Sequence, residues 1–305
     1  MKKILFVNSK QTQCGVYQYG LRLSNILKKS KNLEFSYIEV ENHIEFLNLN
    51  LDYFEIILFN FIGGYGNGPF YWINDVFINT LKQIKPNIKL ISILHDVIQN
   101  INFDFIIDQN PKSPNGIPRP LFNFELNQLF KNEKINVGSF GFQGERKGFE
   151  NVVLTCNQQF DEAVINLNIT NAYFGDANSI LTNNQVNNIK NIPLKPNVEL
   201  NITSMFLSNQ EMINFLTKND INMFLYRNSN YTASVIDYAI YANKPIAVTN
   251  EKCFEHIYDE NIDIDKRSIN YIIDFCINEN YIQKIKDSWS EVNLLDKFEK
   301  LIYNI

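Results

Sequence analysis

The sequence contains no CxxC pair, and its four cysteines (Cys14, Cys156, Cys253, Cys276) are scattered with no histidine cluster beside them. That spacing excludes a disulfide framework and a zinc site, leaving small buried thiols as the expectation, with no metal or cofactor. Long apolar runs are missing too. No stretch approaches the ~20 residues of a membrane helix, and the apolar run at Met1–Ser9 is too short for a secretory signal. A cytoplasmic chain without a transmembrane segment is expected. Positive charge is scarce: 28 Lys and Arg against 33 Asp and Glu leave a net charge of -5. A broad footprint for nucleic acid or anionic lipid is thereby excluded, and any anion site must be local.

Apolar residues are plentiful. Of 305 residues, 45% are hydrophobic and 13% aromatic, enough for two cores. Short apolar runs alternate with segments of helical period, the pattern of βαβ units around a parallel sheet. In the first half, strands are expected at Ile4–Val7, Ser36–Val40, Ile56–Phe61, Lys89–Leu94 and Phe105–Asp108, with helices at Tyr17–Lys29, near Ile44–Asn50, and at Tyr71–Ile84. The second half repeats the pattern. Its strands are Ile135–Phe140, Ala163–Asn168, Val198–Ile202, Asn222–Tyr226 and Pro245–Val248; its helices are Gly148–Gln158, Asn178–Ile189, Asn209–Thr217, Ala233–Ala242 and Ser268–Asn278. Pro111, Pro114, Pro118 and Pro120 read as a connector, placing a domain boundary near residue 131. The expected organisation is 1–131, 132–280, and an amphipathic helix over 281–305, where Ile285, Trp289, Val292, Leu295, Phe298 and Leu301 recur at steps of three and four.

In doubly wound sheets, ligands sit beyond the carboxyl ends of strands, where helix N-termini favour phosphate. The first strand exit leads through Gly15 to Tyr17 and Tyr19. It has neither a GxGxxG fingerprint nor a Walker Gly-Lys-Ser/Thr, and a plain strand-to-helix turn explains it equally well. The Gly63–Pro69 loop has four glycines and could close on a ligand or form a surface turn. His95-Asp96 follows the apolar run Leu90–Leu94, a ligand-facing position as readily as a structural one. In the second half, Ser139, Gly141, Arg146 and Lys147 lie between a strand and the next helix. Cations at a helix start oppose its dipole, so a bound diphosphate would compensate them, although solvated surface cations are the plainer alternative. Thr232, Ala233 and Ser234 leave another helix start open to phosphate, or simply cap it.

These segments resemble GT-B fold glycosyltransferases, in particular the group-1 (family 4) enzymes. Val137–Phe142 with Arg146-Lys147-Gly148 looks like that family's glycine-rich loop ending in Lys-Gly. Ser234–Thr249 looks like its donor-binding helix, turn and strand; Cys14–Tyr19 looks like its N-terminal Gly-Val/Ile-x-x-Tyr element. Two departures stand out. Ser139 occupies the place of the family's loop arginine, and Tyr238 and Asn230 fall where its Glu-x7-Glu motif would stand, with Asp237 adjacent to the second. The resemblance implies two Rossmann-like domains facing across a cleft, with the C-terminal helix crossing back to the first. It further implies transfer of a sugar from a nucleotide-diphosphate sugar to a carbohydrate or lipid-linked glycan acceptor, as in surface-glycan synthesis, by a retaining and metal-independent route. The implied roles are donor phosphate binding by Ser139, Gly141, Arg146, Lys147, Thr232, Ala233 and Ser234, a ribose contact by Asp237, catalysis by His95 and Asp96, and an acceptor side at Gly15, Tyr17 and Tyr19. A catalytically silent nucleotide-sugar-binding module remains the alternative, motivated by the missing Glu pair.

Overall fold

The computed structural model describes residues 1–10, 14–61, 72–95, 101–124, 126, 132–230 and 232–305. Asp96 and the Gly63–Pro69 loop lie outside the described residues. The chain divides into two compact units: Met1–Leu121 with Asn230–Thr232 and Ser288–Ile305, and Phe122–Ser229 with Ala233–Asp287.

The first unit runs β1 (Lys2–Ser9), α1 (Gly15–Leu27), β2 (Leu33–Val40), α2 (His43–Leu47), β3 (Ile56–Phe61), α3 (Asp75–Ile84), β4 (Lys89–Leu94) and β5 (Phe105–Asp108). Its five strands are parallel, in the order β2-β1-β3-β4-β5. Side chains of a strand alternate between faces, so a sheet covered on both sides needs continuous apolar runs. Strand β1 supplies them: Ile4 and Phe6 enter the core that holds Leu23 and Ile26 of α1, while Leu5 and Val7 enter the core that holds Phe46 of α2 and Ile78 and Leu81 of α3.

In the second unit come β6 (Ile135–Phe142), α4 (Phe149–Gln159), β7 (Glu162–Thr170), α5 (Tyr173–Asp176), α6 (Ile180–Lys190), β8 (Asn197–Thr203), α7 (Asn209–Thr217), β9 (Ile221–Phe224), α8 (Val235–Ala242), β10 (Ile246–Val248), α9 (Ile269–Asn278) and α10 (Tyr281–Ser288). These strands are also all parallel, in the order β10-β9-β6-β7-β8. Helix starts follow capping chemistry. Ser208 and Glu211 form a reciprocal capping box at α7, and Ser268 caps α9, each bond satisfying an amide that the helix leaves without a partner.

The terminal segment is two helices instead of the single one expected over 281–305. After α10 the chain breaks at Trp289, and Ser290 accepts from the Asn293 amide to start α11 (Glu291–Tyr303). A serine side chain that captures the amide three residues ahead favours a new start over a continued helix. Leu294, Phe298 and Ile302 of α11 are buried in the same core as Ile4, Phe6 and Leu23 of the first unit. Among the described residues, no helix is long and apolar enough to cross a membrane.

Candidate functional site

In the second sheet the strand order reverses direction between β6 and β9, which pair in parallel. Loops leaving two such strands go to opposite faces, so a crevice opens at their carboxyl ends. Strand β6 leads there through Ser139 and Gly141 into a single 3-10 turn, Glu145–Lys147. Gly148 ends the turn with φ 68, and an added Cβ would stand 2.0 Å from the Leu225 carbonyl oxygen. Only glycine tolerates both the left-handed backbone and that approach. The Arg227 amide donates to the Arg146 carbonyl at 2.9 Å, pinning the turn to the exit of β9 from a second side.

This pinning fixes Lys147. Its Nζ lies 4.1 Å from the centroid of the Tyr226 ring, whose other neighbour is Phe254. Burial lowers the Lys147 pKa to about 8, and among the described residues the ammonium makes no ion pair or hydrogen bond. The nearby Cys253 thiol does not supply a counter-charge, because burial pushes it up to about 11. A shielded cation facing a ring instead of a carboxylate carries an uncompensated desolvation cost. Arg146 points into solvent.

Cys253 ties Lys147 to the start of α8. Its amide donates to the Ser229 carbonyl at 3.2 Å, and its own carbonyl accepts from the Ala233 amide at 3.1 Å. Ala233 therefore has no amide left for a ligand. Ser234 makes no side-chain cap, and the Ser234 and Val235 amides find no acceptor among the described residues. Asp237 is fully buried in the first turn of α8, so it presents no carboxylate to a ribose. Thr232 immediately precedes this start and groups with the first unit. Two hydroxyls, on β6 and at the exit of β9, are orphaned: Ser139 Oγ and Tyr226 OH are buried with no hydrogen-bond partner among the described residues.

The first sheet also has a reversal, between β1 and β3, and there a polar network replaces the apolar pattern. Asn60 donates from Nδ2 to the Val16 carbonyl at 2.7 Å and to Asn8 Oδ1 at 2.8 Å. Asn8 donates to the Tyr17 carbonyl and to the Tyr37 hydroxyl. Tyr17 and Tyr37 both donate to Glu39. Gly20 makes the packing possible, since a Cβ there would stand 2.3 Å from Asn60 Nδ2.

At the end of β4, His95 places Nε2 2.6 Å from Asn60 Oδ1. A backbone carbonyl can only accept, so the amide of Asn60 faces Val16 and its oxygen faces His95. The proton of the imidazole is thereby assigned to Nε2. Burial and the neighbouring Arg119 guanidinium hold the His95 pKa well below the usual histidine value, keeping the ring neutral. Nδ1 then carries a bare lone pair with no partner among the described residues, suited to accept from a hydroxyl. Tyr19 meets the ring edge-on at 5.0 Å, and Arg119, fully buried, bonds Gln109 Oε1 at 2.8 Å and lies over Tyr19. Gly15 opens α1, and Tyr17 is spent on Glu39.

No family model and no curated protein matches the sequence. Solved structures do. The chain is similar over 100% of both chains to Anabaena HepE in complex with UDP-glucose, with a TM-score of 0.64 and 12% identity. It is similar to AviGT4, a glycosyltransferase involved in avilamycin A biosynthesis, over 98% of this chain and 96% of that one, with a TM-score of 0.61 and 10% identity. An alpha-glucosyltransferase in complex with UDP-glucose and DNA containing an abasic site matches over 99% and 94%, with a TM-score of 0.53 and 14% identity. Two parallel five-stranded sheets in this arrangement define the GT-B fold of glycosyltransferases.

Of the residues singled out in the sequence, Lys147 and Gly141 both lie against Tyr226, with Ser139 on the same strand as Gly141, and the α8 start is held by Cys253, while His95 and Tyr19 meet in the first unit. Sequence reasoning missed Tyr226, Asn60 and Arg119. A signal existed for Asn60, an amide inside the apolar run Ile56–Phe61, because a buried asparagine must find partners.

Proposed function

We propose that this protein is a glycosyltransferase that moves a sugar from a nucleoside-diphosphate sugar to a carbohydrate or lipid-linked glycan acceptor in the cytoplasm. The observation that carries the reading is the shielded Lys147 ammonium, which lacks an anionic partner among the described residues, with the open amides of Ser234 and Val235 on the helix that follows the same β9 exit. A diphosphate is the group that such a crevice compensates. In transfer, the bond from the anomeric carbon to the diphosphate oxygen breaks, a bond to the acceptor oxygen forms, and the acceptor hydroxyl loses its proton. Negative charge grows on the departing diphosphate, where a fixed ammonium and helix amides stabilise it without a metal. Fixed donors cost no reorganisation at that moment.

His95 of the first unit is suited to accept from a substrate hydroxyl, since a neutral imidazole with a bare Nδ1 cannot donate from that side. The neighbours support this reading, being glycosyltransferases or proteins bound to UDP-glucose. The resemblance to the family-4 enzymes supports retention of anomeric configuration as part of the proposal. The test is a panel of nucleotide sugars screened for thermal stabilisation, because a ligand that binds only the folded chain raises its unfolding temperature. The stabilising donor is then incubated with acceptor extracts and its consumption followed. A chain stabilised by no nucleotide sugar refutes the proposal, and one that binds a donor yet never consumes it is a binding module.

A further inference from the structure

Orphaned hydroxyls are expensive in a folded interior, because the desolvation of the group goes uncompensated when nothing accepts or donates. Tyr226 OH is such a group: the residue is 2% exposed and the hydroxyl has no partner among the described residues. A phenylalanine would pack the same ring against Phe254 and under Lys147 without that cost. The hydroxyl lies near Gly141, whose added Cβ would meet only Tyr226 OH and Phe149 Cζ, each at 3.6 Å, so an atom has room there. Ser139 points to the same face of β6 as Gly141, two residues away, and its hydroxyl is orphaned as well.

Geometry relates the tyrosine to the lysine. Nζ is 4.1 Å from the ring centroid. A phenolic oxygen sits about 2.8 Å from its own centroid in the ring plane, which puts the two donors about 5 Å apart when the ammonium lies over the ring face. That is less than two hydrogen-bond lengths of about 2.8 Å, so one oxygen atom can accept from both.

We propose that Tyr226 is a ligand-binding residue, its hydroxyl and the Lys147 ammonium donating together to one oxygen of the donor diphosphate. This rests on the diphosphate reading above and adds a second donor to it. Each partner then gains what it lacks. The phenol finds an acceptor, the ammonium finds an anion, and the ring beneath the ammonium holds the pair in register before the ligand arrives. Burial raises the phenol's pKa, so it remains a donor throughout the neutral range.

The experiment compares the full chain with Tyr226→Phe and Lys147→Met, measuring UDP and inorganic pyrophosphate binding by calorimetry and the thermal midpoint without ligand. Tyr226→Phe is expected to weaken UDP binding by about tenfold or more, the scale of a hydrogen bond to a charged group, while the midpoint holds or rises. UDP affinity within twofold of wild type overturns the tyrosine inference. If Lys147→Met alone loses UDP, the crevice still holds the diphosphate and only the tyrosine's part falls. If neither variant changes binding, or the wild type binds neither UDP nor pyrophosphate, both readings fail. A Tyr226→Phe protein with weakened binding and a lowered midpoint also overturns the inference, since damage to the fold then explains the loss.

Discussion

Replacing Lys147 with methionine separates ligand binding from folding. The ordinary lysine value of 10.5 falls to about 8 here, because burial penalises the ammonium. At about 1.4 kcal/mol per pKa unit, the folded chain carries up to about 3.5 kcal/mol of strain at pH 7. The sign follows from proton counting. Between pH 8 and 10.5 the unfolded chain holds the proton that the folded chain has released, so stability rises with pH across that window and is flat below it. Lys147→Met removes the charge and keeps an apolar stem, so the ligand-free variant should match or exceed wild-type stability at pH 7, with the difference shrinking towards pH 10.5. Urea unfolding at pH 7 and pH 10 measures this difference. Binding should move the other way. UDP affinity in the wild type should fall by up to tenfold per pH unit above about 8, as the ammonium deprotonates, whereas the variant should bind weakly at every pH. Calorimetric titrations from pH 6.5 to 9.5 test it. A variant that binds UDP as tightly as wild type, or is less stable at pH 7, would refute the argument that this ammonium is strained and held for an anion.

Other perturbations act on the first unit. The depressed His95 pKa means that the unfolded chain takes up a proton first on acidification, so stability should fall as pH drops below about 6.5, and a His95→Gln variant should lack that component in urea unfolding. Imidazole nitrogen NMR should show His95 neutral at pH 7 with its proton on Nε2; a proton on Nδ1 would contradict the Asn60 contact. Gly20→Ala should cost about 3 kcal/mol in chemical denaturation, because the new methyl collides with an Asn60 side chain held by three hydrogen bonds. Phe298→Ala should cost about 3–5 kcal/mol, and a loss under 1 kcal/mol would show that α11 contributes little to the core.

Strands were the most legible part of this chain. Runs such as Ile4–Val7 and Ile56–Phe59 are apolar on both faces because helices cover both sides of a parallel sheet, and that requirement is written directly in composition. Boundaries were less so. Strand β2 begins at Leu33, ahead of the expected Ser36, since only Leu33 and Val40 are fully buried and the intervening residues blur the pattern. The break at Ser290 was hidden because the apolar spacing continues across it, while the cap depends on a single hydroxyl. Prolines 111 to 120 read as a connector, yet Ile117 and Arg119 among them are fully buried in the first unit and Leu121 closes it. Nothing in the spacing distinguishes a buried arginine between two prolines from a solvated one. Lys147 stood out in the sequence as a cation at a helix start, but Tyr226 did not. Its importance comes from the reversal of strand order that brings the exit of β9 beside that of β6, and strand order is a property of the sheet, not of any local pattern.

The first unit's core closes only when residues 294 to 302 arrive. During synthesis, therefore, the opening two-fifths of the chain must wait with Ile4, Phe6 and Leu23 incompletely covered while the whole of the second unit is made, a period in which chaperones or aggregation can compete for that surface. Expression of residues 1–121 alone would leave the same surface bare, so useful truncations have to spare the last helix, and a split version would need it supplied on a separate strand of polypeptide.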